Sequence, residues 1–516
     1  MSNPIVFLSA TTLAQRIRSG ELTSTEAVQA YLRQIEAVNR TYNALVLVDA
    51  EAALERAREA DAALARGEVW GPLHGVPVTV KDSLAVRGLR TTAGSPELAD
   101  HVPPEDAALV ALLREAGAVI LGKTNLATLA MDMQTTNPVF GTTVNPWDEA
   151  RTPGGSSGGC ATALATGMTP LSFGSDLAGS IRVPSSFVGV YGLKPTFGVV
   201  SMVGHIPPRP GEVNGIRSLA VAGPLARSLE DLALALEVIA QPHRLDETPR
   251  PLRAVDAAPR DLASLRIAYA RQLGDLTPSA EVLAAMDAFL ARLRAAGATV
   301  VEATPPELSP VRAWETWGAL VGMQGGYERS NFARWWARRF VGGAVREIPH
   351  LRRILDGHSV EAYMEALEEQ QRQINAMEGF LHDYDAWIIP TSMTVAFEHR
   401  APDRAFGDFH VYDAPMNVDG RAVPYYVVTQ AFTTIPTVTE SPVVTLPIGP
   451  GRSGLPVGVQ VVGQRFQDRR LLQVAALLDQ LTERPAFPLE PRAAGATPSA
   501  GSPAPRDRPR PGVRTW

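Results

Sequence analysis

Lysine is the residue type that singles out one part of this chain. Of its 48 basic residues only three are lysine, Lys81, Lys123 and Lys194, and the rest are arginine. An arginine side chain stays charged at every accessible pH, whereas a buried lysine can lose its proton and act as a base. All three lysines fall within residues 81–194, which also hold the densest glycine and serine loops. We therefore expect the chemistry of the protein to lie in this stretch.

Two serine-containing loops lie in the same stretch. Ser156 and Ser157 stand in the segment PGGSSGG, and Ser180 follows a run of small residues. Small residues let the backbone approach a substrate closely and aim successive N–H groups at one point, as an oxyanion hole requires. A serine is a weak nucleophile until a base takes its proton, and a neutral lysine serves as that base in Ser–Lys variants of the catalytic triad. Lys81 directly follows a short apolar strand and is the candidate base.

Two other segments match known sequence motifs but lack the structural context that those motifs require. Residues 117–124 satisfy the phosphate-binding pattern GxxxxGK[ST], but their four intervening residues are apolar and predict a buried strand instead of a loop. Residues 154–158 satisfy GxSxG, the nucleophile elbow, but a polar, proline-containing segment precedes them where that motif needs a strand. Later histidines, such as His205 and His410, stand in no motif. We therefore reject nucleotide binding and a Ser–His triad.

The order of elements predicts an α/β fold with helices layered on a sheet, because helical patterns alternate with short apolar strands. A capping-box pattern at Thr23 and Glu26 starts one helix. We expect a single domain over residues 1–485. Residues 486–516 are rich in Pro, Ala, Gly, Ser and Arg, which predicts a disordered tail.

Composition limits the possible partners and compartment. A net charge of −6 is small for 516 residues and gives no case for nucleic acid as a partner. A lone cysteine, Cys160, excludes an internal disulfide and is expected to be buried and inert instead of nucleophilic. No run approaches the roughly 18 apolar residues of a membrane span, and the N-terminus is a poor signal peptide, so we expect a cytoplasmic protein.

Three blocks, in this order, resemble the signature of the amidase signature family: GVPVTVKDSLAVRG (75–88), PGGSSGGCATALATG (153–167) and GSDLAGSIRVPSSFVGVYGLKPTFG (174–198). The resemblance extends from the N-terminal helices to about residue 480 and is weakest before residue 58 and over residues 205–380. It implies a large mixed β-sheet covered by helices on both faces, in α/β/α layers.

The resemblance also implies a Ser–Ser–Lys triad. Ser180 would be the nucleophile and Lys81 the general base. Ser156 would bridge them, held by a cis peptide. The oxyanion hole would be formed by backbone N–H groups, those of Leu177, Ala178, Gly179 and Ser180.

Other residues of these motifs are expected to be structural. Ser157 would stabilise its loop, and Asp176 would pair with Arg182 to hold the loop of Ser180. For Lys123 and Lys194 we expect packing or contacts with backbone carbonyl groups. Asp82 would stabilise the charged form of its neighbour Lys81 if their side chains were in contact. Because adjacent strand residues point to opposite faces, we expect no such contact. An aromatic-rich segment either covers a substrate or packs into the core: Trp314, Trp317, Trp335, Trp336 and Phe340.

By this resemblance the protein is an amidase that hydrolyses a carboxylic amide to a carboxylate and ammonia or an amine, without a metal or organic cofactor. The expected partner is a small-molecule amide, with no nucleic acid and no membrane, and the chain is a monomer or a homodimer. One alternative is the glutaminase-type A subunit of a tRNA-dependent amidotransferase, which works in a complex. The other is a catalytically silent scaffold on the same fold.

Overall fold

An eleven-stranded mixed β-sheet forms the centre of the molecule. The computed structural model describes residues 4–206, 218–255, 259–326, 353–354, 359–406 and 409–490. The strands β1 to β17 are Leu45–Val48, Pro77–Lys81, Val119–Thr124, Thr136–Asn137, Gly141–Thr142, Leu171–Asp176, Tyr191–Lys194, Val221–Ala226, Arg266–Tyr269, Thr299–Glu302, Ala386–Pro390, Arg404–Phe406, Phe409–Val411, Met416–Val418, Arg421–Val423, Val443–Pro450 and Pro456–Val462.

The α-helices of the described residues are numbered α1 to α13 in chain order: Ala10–Arg18, Ser24–Tyr42, Ala50–Ala65, Ala108–Glu115, Gly158–Ala165, Arg182–Val188, Leu229–Ile239, Ala280–Ala295, Pro310–Gly326, Val360–Leu381, Tyr425–Gln430, Thr434–Val438 and Asp468–Asp479. The predicted capping box is present at the start of α2, where the Thr23 side chain accepts from the Glu26 N–H and the Glu26 carboxylate accepts from the Thr23 N–H.

The order of strands in the large sheet is β1-β3-β2-β6-β8-β7-β16-β17-β11-β9-β10. Its inner strands β2, β3 and β6 are buried along their whole length. Strands buried on both faces need helices on both faces, so the predicted α/β/α layering is confirmed.

Strand β3 occupies the segment whose letters match a phosphate-binding loop. It pairs in parallel with β2, and all six of its residues are buried. A Cβ atom at Gly122 would lie 2.0 Å from the carbonyl oxygen of Leu47. That glycine therefore allows a close approach of β1 to β3. Because the segment is a buried strand, the rejection of a phosphate-binding loop is confirmed.

Two parallel neighbours in the sheet position the candidate catalytic groups. Strand β2 ends at Lys81, and the adjacent strand β6 ends at Asp176. Because parallel strands finish at the same edge of a sheet, the residues at these two ends lie close together. The loop before α5 and the loop between β6 and α6 meet at this edge.

The packed part of the chain extends slightly beyond residue 485. Phe487 is 4% exposed and lies in an apolar cluster with Cys160 and Leu164. Phe487 is thus packed although it lies two positions beyond the boundary predicted at residue 485. Residues 491–516 of the predicted tail lie outside the described residues. None of the helices in the described part of the chain is long and apolar enough to cross a membrane.

Candidate active site

Lys81 lies at the centre of the site and is completely buried. Its Nζ atom is 2.7 Å from the Oγ atom of Ser156 and 3.1 Å from the Oγ atom of Ser175. Burial lowers the pKa of Lys81 to about 8, although Cys160 and Asp176 oppose the shift. The amine thus has hydroxyl groups as its hydrogen-bond neighbours and loses its proton far more easily than an exposed lysine.

Ser156 stands in a tightly packed loop just before α5. The peptide bond between Gly155 and Ser156 is cis, as the resemblance implies. A Cβ atom at Gly155 would lie 2.6 Å from the backbone nitrogen of Gln134, so only glycine fits there. The loop is thereby pressed against residues 132–134, which fixes the Ser156 hydroxyl beside the lysine.

Ser180 lies in the loop between β6 and α6 and is 6% exposed. Its carbonyl oxygen accepts a 3.2 Å hydrogen bond from the N–H of Ser157. The Oγ atom of Ser157 donates to the carbonyl oxygen of Ser175 at 3.4 Å. These two bonds of Ser157 connect its own loop to that of Ser180.

Asp176 and Arg182 form a buried ion pair across the Ser180 loop. The guanidinium donates through Nη2 to Asp176 Oδ1 at 2.8 Å and through Nε to Oδ2 at 3.0 Å. Burial raises the pKa of Asp176, but Arg182 and the N–H groups of Gly179 and Ile181 outweigh burial and bring that pKa to about 2. Arg182 also donates to the carbonyl oxygen of Thr433. The pair thus links the residue before the Ser180 loop to the first residue of α6.

The four N–H groups expected in an oxyanion hole differ in their availability. The Gly179 N–H donates to Asp176 Oδ1 at 2.8 Å and is already engaged. Among the described residues, the N–H groups of Leu177, Ala178 and Ser180 have no hydrogen-bond acceptor. Three of the four groups therefore remain without an acceptor in the described part of the chain.

Backbone conformation explains why this loop holds one alanine and one glycine. Gly179 has a φ of +116°, and a Cβ atom there would lie 2.9 Å from the Thr433 side chain. Ala178 has a negative φ, so its methyl group causes no backbone strain. The loop thus requires glycine only at position 179.

The remaining lysines have separate partners. Lys123 donates to the carbonyl oxygen of Leu84 and to Thr91 Oγ1, and its Nζ is 3.5 Å from the carboxylate of Asp82. Asp82 therefore faces Lys123 and not its neighbour Lys81, as strand geometry predicted. Burial lowers the pKa of Lys123 to about 8, although the Asp82 carboxylate opposes the shift.

Lys194 follows the expectation of backbone-carbonyl contacts. Its Nζ donates to the carbonyl oxygen of Ser441 at 2.8 Å and to that of Pro195 at 3.2 Å. Burial, and then the nearby charge of Arg182, lower the pKa of Lys194 to about 7. Neither Lys123 nor Lys194 hydrogen-bonds to the serines of the predicted triad.

Cys160 and the tryptophans are structural in the described part of the chain. Cys160 is buried, its Sγ lies 3.0 Å from Thr124 Oγ1, and burial raises the pKa of its thiol, so a nucleophilic role is excluded. Trp314 and Trp317 are buried, and Trp317 Nε1 donates to the carbonyl oxygen of Leu177 at 2.9 Å. The aromatic residues at positions 335, 336 and 340 lie outside the described residues.

Two groups beside the site were missed at the level of sequence. Ser175 contacts Lys81, and its Oγ lies 2.8 Å from Nε2 of His205. The Asp132 carboxylate accepts from Tyr412 and Tyr425, and it lies on the segment that presses on Gly155. Ser175 could have been found from its place next to Asp176, because it stands in the Ser180 motif. His205 and the Asp132 cluster stand in no local sequence motif that would have indicated them.

Comparison with known proteins shows the family of this chain. The family model described as Amidase matches residues 26–472. The chain belongs to the amidase signature family. The glutamyl-tRNA(Gln) amidotransferase A subunit of Moorella thermoacetica is 36% identical over 505 residues, which cover 93% of this chain and 97% of that protein.

Two solved structures extend the comparison. One, from a study of a vestigial protein complex and the origins of an s-triazine catabolic enzyme, is 29% identical with a TM-score of 0.76, over 92% of this chain and 99% of that chain. The other, 6-aminohexanoate cyclic dimer hydrolase complexed with substrate, is 27% identical with a TM-score of 0.74, over 94% of this chain and 100% of that one.

The relatives correct one expectation from the sequence. We expected a small-molecule amide as the partner and excluded nucleic acid, but the Moorella protein is one subunit of an amidotransferase named for a tRNA. The net charge is a sum over the whole chain and says nothing about contacts made through other subunits. A charge of −6 therefore does not exclude nucleic acid for a member of this family.

We predict that Gly179→Ala slows labelling of Ser180 by a fluorophosphonate about 100-fold, the order of effect of losing one oxyanion-hole donor. An alanine at this φ would be strained and would clash with Thr433, so the loop must move. The matched control is Ala178→Gly, which should label within about threefold of the parent rate. Equal labelling by both variants would contradict the predicted loop geometry.

Proposed function

We propose that this chain hydrolyses a carboxylic amide through an acyl-enzyme on Ser180, as the glutaminase-type A subunit of a tRNA-dependent amidotransferase. The observation that carries the chemistry is the buried Lys81 amine, 2.7 Å from the Ser156 hydroxyl. The assignment to such a complex rests on the 36% identity to the Moorella thermoacetica protein over nearly the full length of both chains.

The first step is activation of the nucleophile. Neutral Lys81 accepts the proton of Ser156, and Ser156 in turn accepts the proton of Ser180. Ser180 Oγ then attacks the amide carbonyl carbon, and the carbonyl oxygen becomes an oxyanion. With a pKa of about 8, roughly a tenth of the Lys81 amines are neutral at pH 7. Because no carboxylate is hydrogen-bonded to Lys81 among the described residues, nothing there holds the proton on the amine.

The second step is stabilisation and breakdown of the tetrahedral intermediate. The free N–H groups of Leu177, Ala178 and Ser180 are suited to donate to the oxyanion. The C–N bond then breaks, and the proton returns through Ser156 to the leaving nitrogen. Ammonia departs and an ester on Ser180 remains.

The last step is hydrolysis of the ester. Water loses a proton to the same Ser156–Lys81 relay and attacks the acyl carbon, and Ser180 recovers its proton as the carboxylate leaves. For glutamine the sum is glutamine plus water giving glutamate plus ammonia. In the subunit role, the ammonia passes to a partner subunit that transfers it to glutamyl-tRNA.

A second candidate is an amide hydrolase that acts without partner subunits. It is favoured by the solved neighbours at 27–29% identity, among them 6-aminohexanoate cyclic dimer hydrolase, whose TM-score is 0.74. Both candidates use the same Ser180 chemistry and differ in the acyl group that they accept.

We predict that Ser180→Ala abolishes labelling by a fluorophosphonate and all amide turnover while the protein stays folded. The measurement is mass spectrometry of the labelled peptide together with ammonia release. The matched control is Ser157→Ala, which removes a hydroxyl from the neighbouring loop and should keep activity within about tenfold. An active, folded Ser180→Ala protein would overturn the acyl-enzyme proposal.

The pH dependence tests Lys81 as the base. We predict that kcat/KM rises with pH through an apparent pKa of about 8, because the neutral amine is the active form and protonation removes it. Activity should fall about tenfold for each pH unit below that value. Lys81→Arg keeps the positive charge but cannot lose it, and should be inactive at every pH. If the Lys81→Arg enzyme were active and its kcat/KM rose with pH as in the parent enzyme, the lysine would be excluded as the base.

Substrate preference separates the two candidates. Butanamide has the amide and carbon chain of the glutamine side chain without the charged α-amino and α-carboxylate groups. For the A-subunit role we predict that kcat/KM for glutamine exceeds that for butanamide at least about 100-fold, the size of two well-placed charged contacts. The kcat/KM for glutamine should rise further when the other subunits of the Moorella thermoacetica enzyme are added. Preference for butanamide or larger neutral amides by the chain alone would favour the second candidate.

A further inference from the structure

The Lys81 amine has a second hydroxyl neighbour that the proposed relay does not use. Ser175 Oγ lies 3.1 Å from Lys81 Nζ and 2.8 Å from Nε2 of His205. Lys81 is fully buried, Ser175 is 5% exposed and His205 is 9% exposed. A buried line of hydrogen bonds therefore runs from the imidazole through Ser175 to the proposed base and on to Ser156.

The backbone fixes His205 in this place. Ile206 N–H donates to the carbonyl oxygen of Ser83 at 2.7 Å, and Ala85 N–H donates to that of Gly204 at 2.9 Å. The segment of the histidine is thus fastened to the residues that directly follow Lys81. Ser175 is the penultimate residue of β6, next to the strand that Lys81 ends.

Two hydroxyls beside one neutral amine create a competition. A neutral lysine amine has two N–H donors and a single lone pair, and a serine hydroxyl has a single proton. Activation of Ser180 requires the Ser156 proton to be directed at that lone pair. If the Ser175 proton pointed there instead, Ser156 would be left without its acceptor.

We propose that His205 is a positioning residue that removes this competition, an inference that rests on the proposed function. Its Nε2 accepts the Ser175 proton, so the tautomer carries its hydrogen on Nδ1. Ser175 Oγ then accepts an N–H of Lys81, and the amine lone pair is directed to Ser156. His205 touches no reacting atom in this scheme, and Ser175 transmits its effect to the Lys81 amine.

The test measures the second-order rate at which a fluorophosphonate labels Ser180 in the full chain, because this rate reports nucleophile activation without an identified substrate. His205→Gln retains an acceptor oxygen, and His205→Leu has none. We expect His205→Leu to label about tenfold more slowly, at the lower end of effects for residues that orient a catalytic group, and His205→Gln to stay within about threefold. His205→Phe, a ring of similar shape without an acceptor, is measured in parallel in case the leucine variant does not fold.

A second background distinguishes positioning from simple packing. Ser175→Ala removes the competing hydroxyl, so in that background His205→Leu should cause no further loss of rate. A packing role would give the same loss in both backgrounds and would lower the melting temperature together with the rate. Equal losses for the glutamine and leucine variants, or a loss that persists in Ser175→Ala, would overturn the inference.

The same experiment separates this inference from the proposed function. If the parent protein were not labelled, or were labelled equally after Ser180→Ala, the acyl-enzyme itself would be wrong. If the parent were labelled at Ser180 but none of the His205 variants differed from it, only the role of His205 would fail.

Discussion

The site depends on a lysine amine that is removed from water and given hydroxyl groups as neighbours. Burial penalises the charged form of Lys81, and its two side-chain contacts, Ser156 and Ser175, carry no charge that would restore it. The carboxylates nearby have other counter-ions, since Asp82 faces Lys123 and Asp176 is paired with Arg182. The structure thus contains buried anions close to the base without letting either of them hold its proton.

The Asp176–Arg182 pair has two effects at once. It neutralises a carboxylate near Lys81, and the Asp176 oxygens accept from the N–H groups of Gly179 and Ile181, on either side of Ser180. Those bonds turn the loop so that the N–H groups of its other residues remain without acceptors in the described part of the chain. Electrostatic shielding of Lys81 and shaping of the loop proposed to bind the oxyanion therefore come from one interaction.

Much of this site could be predicted from the sequence, because its parts are carried by local motifs. Strand patterns placed Lys81 at the end of β2, and the glycine-rich segments placed Ser156 and Ser180 in loops. His205 and the Asp132 cluster could not be predicted in this way. Asp132 meets Tyr412 and Tyr425 across about 280–293 residues of chain, and no local pattern encodes such a contact. The burial of Phe487 could not be predicted for a similar reason, since this side chain lies in a segment whose composition is that of a tail.

The presence of lysine at these three positions has a broader physical cause than catalysis. All three lysines are completely buried, and burial lowers the pKa of each to about 7 or 8. Arginine would bring a larger, permanently charged group into the same spaces. The Lys194 amine contacts carbonyl oxygens, and the Lys123 amine lies beside a carboxylate. A charged amine binds both kinds of partner, so neither site requires a neutral lysine. Lys123 also contacts one hydroxyl, that of Thr91, but beside a carboxylate that favours the charged amine. The hydrogen-bond partners of Lys81 in the described part of the chain are the hydroxyls of Ser156 and Ser175, so its lone pair has a proton to accept and no adjacent anion holds the amine charged. A shifted pKa alone would not have distinguished the three; the chemistry of their neighbours does.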